Sequence, residues 1–146
     1  MPIYFAVLLI LSTLVSVANA SPAQEYDRLY EEYSCAKTTA DWQTILGKLE
    51  RFAERNDAGL YRANAYYWIG ERHYDRRDYS LALAAFEKAS TIPGSYKERD
   101  ARIKVIYCYL KLELFTTAKW EIDRFEREFT GEAEVKMAKN MRKALK

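Results

Sequence analysis

The segment from residue 64 to residue 95, NAYYWIGERHYDRRDYSLALAAFEKASTIPGS, constrains the fold more than any other part of the chain. The spacing of its apolar residues predicts two helices, over 64–75 and 79–91, joined by a short polar turn. The chain then reaches Pro93-Gly94, a pair that marks turns. Small and aromatic residues fall where two antiparallel helices must touch, namely Trp68, Ile69, Gly70, Ala82, Phe86 and Ala89. The segment is therefore predicted to be a helical hairpin that needs neighbours to cover its apolar faces.

A second copy of this hairpin follows 36 residues later. The shift places Ala65 on Ala101 and Ala82 on Ala118, and it predicts helices over 97–112 and 115–128. It also places Gly70 on Ile106, so that a branched side chain replaces a hydrogen atom. Such a side chain must separate the paired helices or be accommodated by a smaller neighbour. We therefore expect the second copy to pack with a somewhat different crossing.

Fainter patterns complete the chain on both sides of these copies. Apolar residues at helical spacing predict helices over 23–36 and 41–55, and a capping helix over 132–146 covers the open end of the stack. Paired helices at this period are typical of the tetratricopeptide repeat, a unit of about 34 residues. The predicted fold class is all-α: a tetratricopeptide-like α-solenoid of about three hairpins plus a C-terminal cap. Its predicted units are a domain over 21–146, with clear repeats at 62–94 and 97–129 and a degenerate one at 23–57.

The N-terminal residues predict export. Residues 1–20 carry no charged side chain and end in Ala18-Asn19-Ala20, a small-x-small pattern that a signal peptidase accepts. We expect residues 1–20 to be a signal peptide that is cleaved between Ala20 and Ser21, leaving a periplasmic or secreted domain. The alternative is an uncleaved anchor in the inner membrane over residues 3–20, because about twenty apolar residues can just span a bilayer.

Several motifs of the central region match a known repeat family. They are Asn64-Ala65-x-Tyr67-Trp68-Ile69-Gly70-Glu71, Asp78-Tyr79, Ala82, Ala85-Phe86, Pro93-Gly94-Ser95 and Asp100-Ala101-x-x-Lys104. With these motifs, residues 62–129 resemble the repeat domain of the periplasmic Tol-Pal cell-division coordinator family and, more loosely, the outer-membrane assembly lipoproteins. The resemblance implies a binding role in the bacterial cell envelope. The chain departs from these families at Arg77, where the turn favours Gly, and at Ser21, where a lipoprotein needs a cysteine.

The composition and motifs argue against several other classes of protein. The chain has 23 basic and 21 acidic residues, and a nucleic-acid-binding domain would need a larger basic surplus. No nucleophile motif or glycine-rich phosphate loop is found in the sequence, so neither an enzyme nor a cofactor is predicted. The one histidine, His73, has no second imidazole or cysteine at ligand spacing, so no metal site is predicted either.

A partner-binding groove is predicted on the first helices of the hairpins. Helical spacing selects one face of each helix. On the two clear repeats this face carries tyrosines and apolar groups edged by one carboxylate and one amine: Asn64, Tyr67, Glu71, Tyr74, Ile103, Tyr107 and Lys111. Such a surface suits an extended or helical peptide. The alternative is that Tyr74 and the neighbouring Leu110 only pack between helices. For Tyr67 and Tyr107 the sequence favours neither the groove nor the core.

The two cysteines are predicted not to pair within the chain. Cys35 and Cys108 lie at nearly equivalent places in the first and third hairpins. Successive helices are about 8–10 Å apart, whereas a disulfide requires Cα atoms within about 7 Å. We expect two unpaired thiols, with Cys108 in the core. An intermolecular bridge through Cys35 is the alternative.

Lysines recur along one face of the predicted cap, at Lys136, Lys139, Lys143 and Lys146. A solvated face is the simpler interpretation, since cations are favoured near a helix C-terminus. Contact with a membrane surface or an acidic partner is the alternative.

Together these features predict an exported adaptor of the cell envelope that binds another envelope protein or peptide segment in its groove. The alternative function is a membrane-anchored structural subunit of an envelope complex. Neither the partner nor the oligomeric state follows from the sequence.

Overall fold

The structure, a computed structural model, describes residues 20–145, and within that range it contains helices and no strand. Seven α-helices follow one another between residues 20 and 145: α1 (Pro22–Cys35), α2 (Thr39–Ala53), α3 (Tyr61–Asp75), α4 (Tyr79–Ser90), α5 (Glu98–Lys111), α6 (Phe115–Glu128) and α7 (Glu132–Lys143). A short 3₁₀ helix, Asn56–Ala58, connects α2 to α3. Residues 1–19, which are all of the predicted signal peptide or anchor except its last residue, lie outside the described residues, and so does Lys146.

The helices form the predicted tetratricopeptide-like solenoid. Three hairpins, α1–α2, α3–α4 and α5–α6, stack in order, and α7 closes the end. The first helices lie side by side: the Trp68 indole N–H of α3 donates to the Tyr26 hydroxyl of α1 over 2.8 Å. Lys104 of α5 forms a 2.6 Å ion pair with Glu71 of α3. We call the surface formed by α1, α3 and α5 the first-helix wall.

The start of each of the first two helices follows from a side-chain cap. The Ser21 hydroxyl accepts from the backbone N–H of Gln24, whose side chain accepts in turn from Ser21. Thr38 and Asp41 form the same reciprocal arrangement at the start of α2. Helix α2 therefore begins at Thr39 rather than at residue 41, because Asp41 is the third helical residue of a capping box and not the cap.

Two residues that are not glycine adopt a left-handed conformation at equivalent turns. Arg77 has φ 65° between α3 and α4, and Glu113, 36 residues later, has φ 59° between α5 and α6. In each turn the next backbone N–H reaches back to a helix carbonyl: Asp78 to His73 over 2.9 Å and Leu114 to Tyr109 over 3.0 Å. Both helices therefore end in a Schellman motif, whose left-handed position is usually occupied by glycine. Each turn keeps the left-handed geometry that favours glycine, although residues 77 and 113 carry side chains.

The Gly70-to-Ile106 difference is accommodated by a smaller neighbour. In the α3–α4 hairpin the ring of Phe86 occupies the space where a side chain of residue 70 would lie. In the α5–α6 hairpin the equivalent of Phe86 is Ile122, and Ile106 and Ile122 are buried in one cluster. The exchange of a glycine–phenylalanine pair for two isoleucines keeps both hairpins filled.

The core runs along the stack as three clusters. Ala65, Ala82, Ala101 and Ala118, the small residues matched by the 36-residue shift, are all fully buried. The cap contributes Ala138 and Met141 to the last cluster, against residues of α5 and α6. No helix between residues 20 and 145 has both the length and the apolar character needed to cross a membrane.

Candidate partner-binding surface

Two of the predicted groove residues of α3, Glu71 and Tyr74, face α5. Glu71 is half-buried in its ion pair with Lys104, whose ammonium also lies 5.3 Å from the centre of the Tyr74 ring. Asn64 is half-buried on the same helix. Tyr67 differs from the expectation for a groove, because it is only 8% exposed and lies in the second core cluster. It supports the wall from beneath and offers a partner little surface.

The predicted residues of α5 divide in the same way. Ile103 packs against the third core cluster, towards the cap. Tyr107 is 37% exposed, and Lys111 is exposed. Of the predicted set, the surface available to a partner therefore consists of Glu71 and the Tyr74 edge on α3, and of Tyr107 with Lys111 on α5; Lys104, the ion-pair partner of Glu71, was not predicted.

An aromatic cluster on α1 and α3 forms the other part of the wall. Tyr30 stacks on Tyr26 and Tyr33, with ring centres 6.3 and 6.5 Å away. The Trp68 ring lies 5.1 Å from Tyr30 and 5.3 Å from Tyr33. Tyr30 nevertheless remains 40% exposed, and Tyr61, next to Tyr26, remains 38% exposed. The wall thus presents aromatic surface that its own packing does not cover.

The position of Trp68 corrects one expectation from the sequence. The sequence pattern places Trp68 at the contact between the two helices of its own hairpin. In the structure its ring packs against the tyrosines of α1, in the preceding hairpin. The helical spacing of Tyr26, Tyr30 and Tyr33 places them on one face of α1. This spacing did not reveal that α3 leaves part of that face uncovered.

Lys97, at the start of α5, borders the aromatic cluster, and sequence reasoning did not single it out as a site residue. The Lys97 ammonium lies 4.5 Å from the Tyr67 ring centre and 5.6 Å from that of Trp68, within cation–π range. Lys97, Lys104 and Lys111 follow one another at seven-residue spacing and so share one face of the helix. The wall therefore combines aromatic surface with a row of amines.

The phenols of Tyr33 and Tyr74 remain protonated at neutral pH because their pKa values are raised. Burial, followed by the nearby carboxylate of Asp75, raises the pKa of Tyr33 to about 12. Burial also raises the pKa of Tyr74 to about 12, with a smaller contribution from Cys108. These hydroxyls can therefore donate hydrogen bonds to a partner without carrying charge.

His73 and the two cysteines are the remaining side chains that could carry chemistry. His73 is mostly buried, with its Nδ1 atom 3.9 Å from the Asp78 carboxylate. Among residues 20–145 no group of three or more His, Cys, Asp or Glu side chains is placed to hold a metal ion. Cys35 is exposed and Cys108 is buried, and both are free thiols, as the spacing argument predicted.

The comparison with known families identifies the chain. Residues 60–144, from just before α3 through α7, match the family YfiO, described as outer membrane lipoprotein. The chain belongs to the YfiO family. No curated protein and no solved structure matched the chain.

YfiO membership confirms the looser of the two resemblances, that to outer-membrane lipoproteins with helical repeats, and assigns the chain to a family of the cell envelope. The closer resemblance, to the Tol-Pal coordinator, stays a prediction. The YfiO match covers most of the wall, including Tyr61, Trp68, Lys97 and Tyr107, whereas α1 with Tyr30 lies before it.

Proposed function

We propose that this protein is an exported, non-enzymatic adaptor of the cell envelope that holds a segment of another envelope protein against its first-helix wall. One observation carries the proposal: Tyr30 is 40% exposed although it packs between other aromatic rings. Tyrosine contributes a large contact area at a low cost in conformational entropy, which makes a pre-packed tyrosine surface suited to binding.

The charges of the wall specify the kind of segment that fits. Lys97 and Lys104 lie within cation–π range of aromatic rings of the wall. Lys111, on the same side of α5, is exposed and forms no ion pair among residues 20–145. A segment with apolar or aromatic side chains for the rings and a carboxylate for Lys111 complements both features. The charges would fix the register of the segment, while the rings would supply most of the contact area.

Export is the second part of the proposal. Ser21, the N-cap residue of α1, immediately follows the predicted cleavage site. Cleavage between Ala20 and Ser21 would therefore remove no residue of the described helices. The proposal is supported by the cell-envelope assignment of the YfiO family.

Affinity purification from detergent-extracted envelopes tests the proposal. Three forms of the chain are compared: the wild type, the double variant Tyr30→Ser/Tyr107→Ser, and Leu81→Ser. Leu81 is 57% exposed on α4, outside the wall, and serves as the matched control. We expect a protein that co-purifies with the wild type and with Leu81→Ser to be lost with the double variant.

A further variant separates binding from folding. Lys111→Glu changes an exposed side chain outside the core and should weaken the same interaction while leaving the helical circular dichroism unchanged. If the co-purifying protein remains with both the double variant and Lys111→Glu, the proposal that a partner binds at the first-helix wall is wrong.

The alternative, a membrane-anchored structural subunit, depends on the uncharged residues 1–20. N-terminal sequencing of the protein from cell envelopes decides between the two. A chain that begins at Ser21 excludes the anchor, and one that retains residues 3–20 excludes cleavage.

A further inference from the structure

Three lysines occupy the outward face of the cap α7. An α-helix turns by about 100° per residue, which places Lys136, Lys139 and Lys143 within about 60° of one another. The buried residues of the same helix, Ala138 and Met141, lie on the opposite side. The three lysines are exposed, so their amines point away from the stack into solvent.

These lysines differ from Arg142 of the same helix because they have no carboxylate partner among residues 20–145. Arg142 of the same helix is 2.6 Å from Asp123 and 2.5 Å from Glu126. Lys143 reaches only the amide oxygen of Asn140, over 3.3 Å.

The surrounding charges are predominantly positive. Glu132 shares the outward face at its N-terminal end, and Glu134 is paired with Arg99. No Asp or Glu follows Glu134 in the sequence, whereas five Lys or Arg residues do. The last two turns of α7 therefore carry an uncompensated positive face.

The form of this face favours a lipid surface over a protein. A stable protein interface needs about 800 Å² on each side with an apolar centre, and this face offers only the partly exposed Val135 at its flank. The outward cations are all lysines, which act as point charges, whereas the arginine of the helix is engaged in paired carboxylate contacts. A layer of anionic headgroups requires charge but no defined geometry.

We infer that the outward face of α7 rests on an anionic lipid surface, with Lys136, Lys139 and Lys143 as the contacting residues. This inference does not depend on the proposed function, since α7 presents these lysines on a surface separate from Tyr30, Tyr107 and Lys111. An adaptor bound in this way would hold its capped end against the membrane and leave the first-helix wall accessible.

Co-sedimentation of the full chain with vesicles tests the inference. One set of vesicles contains phosphatidylcholine and phosphatidylglycerol, and the other contains phosphatidylcholine alone. The quantity of interest is the ratio of the two partition coefficients, so that any apolar contribution of residues 1–20 cancels. Each lysine near an anionic surface should contribute about a fivefold preference, so Lys136→Gln/Lys139→Gln/Lys143→Gln should lower the ratio about 100-fold.

The control variant is Arg28→Gln/Lys37→Gln/Arg51→Gln, which removes the same charge from exposed residues of the first hairpin. We expect it to keep nearly the wild-type ratio, and we expect added salt to lower the wild-type ratio. The inference is overturned if both triple variants lose the preference equally, which would indicate net charge alone. It is also overturned if the wild type binds soluble polyglutamate but shows no preference for phosphatidylglycerol, which would assign the face to an acidic protein.

Discussion

The ring of Phe86 occupies the position that a side chain at Gly70 would need. A Cβ atom built on Gly70 would lie 2.6 Å from Cε1 of Phe86, closer than such atoms approach in proteins. Phe86 is fully buried, so its ring has little freedom to move away. The absence of a side chain at residue 70 therefore determines how closely α3 and α4 pack.

Gly70→Ala should destabilise the protein by about 1–3 kcal/mol, the usual cost of overpacking a filled core. The free energy of unfolding in urea measures this effect. Phe86→Leu alone should also be destabilising, because it leaves a cavity.

The double variant Gly70→Ala/Phe86→Leu should lose less stability than the sum of the two single variants, because the shorter side chain makes room for the new methyl group. The natural pair Ile106 and Ile122 makes the same exchange in the next hairpin. Strict additivity of the two single effects would show that the ring and the methyl group do not compete for space.

Arg77→Gly and Glu113→Gly should each stabilise the protein by about 1 kcal/mol. Both residues are held at positive φ, which costs a residue with a Cβ more than it costs glycine, although the greater freedom of glycine in the unfolded chain offsets part of the gain. Thermal unfolding followed by circular dichroism measures the change. Arg76→Gly is the matched control, since Arg76 has φ −80° and should gain nothing.

The attachment of the cap should weaken in acid. A hydrogen bond from Arg142, and then one from Lys119, lowers the pKa of Asp123 below its usual value. A carboxylate whose pKa is lower in the folded state stabilises the fold above its unfolded pKa, about 3.9, and this contribution is lost as the pH falls through the folded value.

Arg142→Gln should therefore be less stable than the wild type near neutral pH, and the difference should shrink below about pH 4. Urea denaturation at a series of pH values measures it. A difference that stays constant down to pH 2 would mean that Arg142 acts through the packing of its alkyl chain and not through its ion pairs.

The two thiols should differ sharply in reactivity. Burial raises the pKa of Cys108 to about 12, so at pH 8 roughly one molecule in 10⁴ carries its thiolate. Cys35 is exposed. Iodoacetamide should modify one thiol in the folded protein and both after denaturation, as counted by mass spectrometry. In Cys35→Ser no modification should precede unfolding, and rapid labelling of that variant would contradict the burial of Cys108.

The layout of the helices could be predicted from the sequence because small residues recur every 36 positions, as Ala82 and Ala118 do. The structure buries both of these residues, at equivalent places in the two hairpins. The direction in which Trp68 packs could not be predicted. Helical periodicity identifies the faces of one helix but does not say which neighbour covers each face. Lys97 was missed for a related reason, because only tertiary packing brings this N-cap residue of α5 over Tyr67 and Trp68.

Photo-crosslinking in intact cells tests partner binding at the first-helix wall most directly. Benzoylphenylalanine is placed at Tyr30 on the wall in one form of the protein and at Leu81, outside the wall, in another. Both positions are exposed, so the probe itself should be tolerated in either place. We predict a discrete protein adduct from Tyr30 that is lost when Lys111→Glu is added, and no such adduct from Leu81. An adduct from Leu81 with none from Tyr30 would contradict partner binding at the wall.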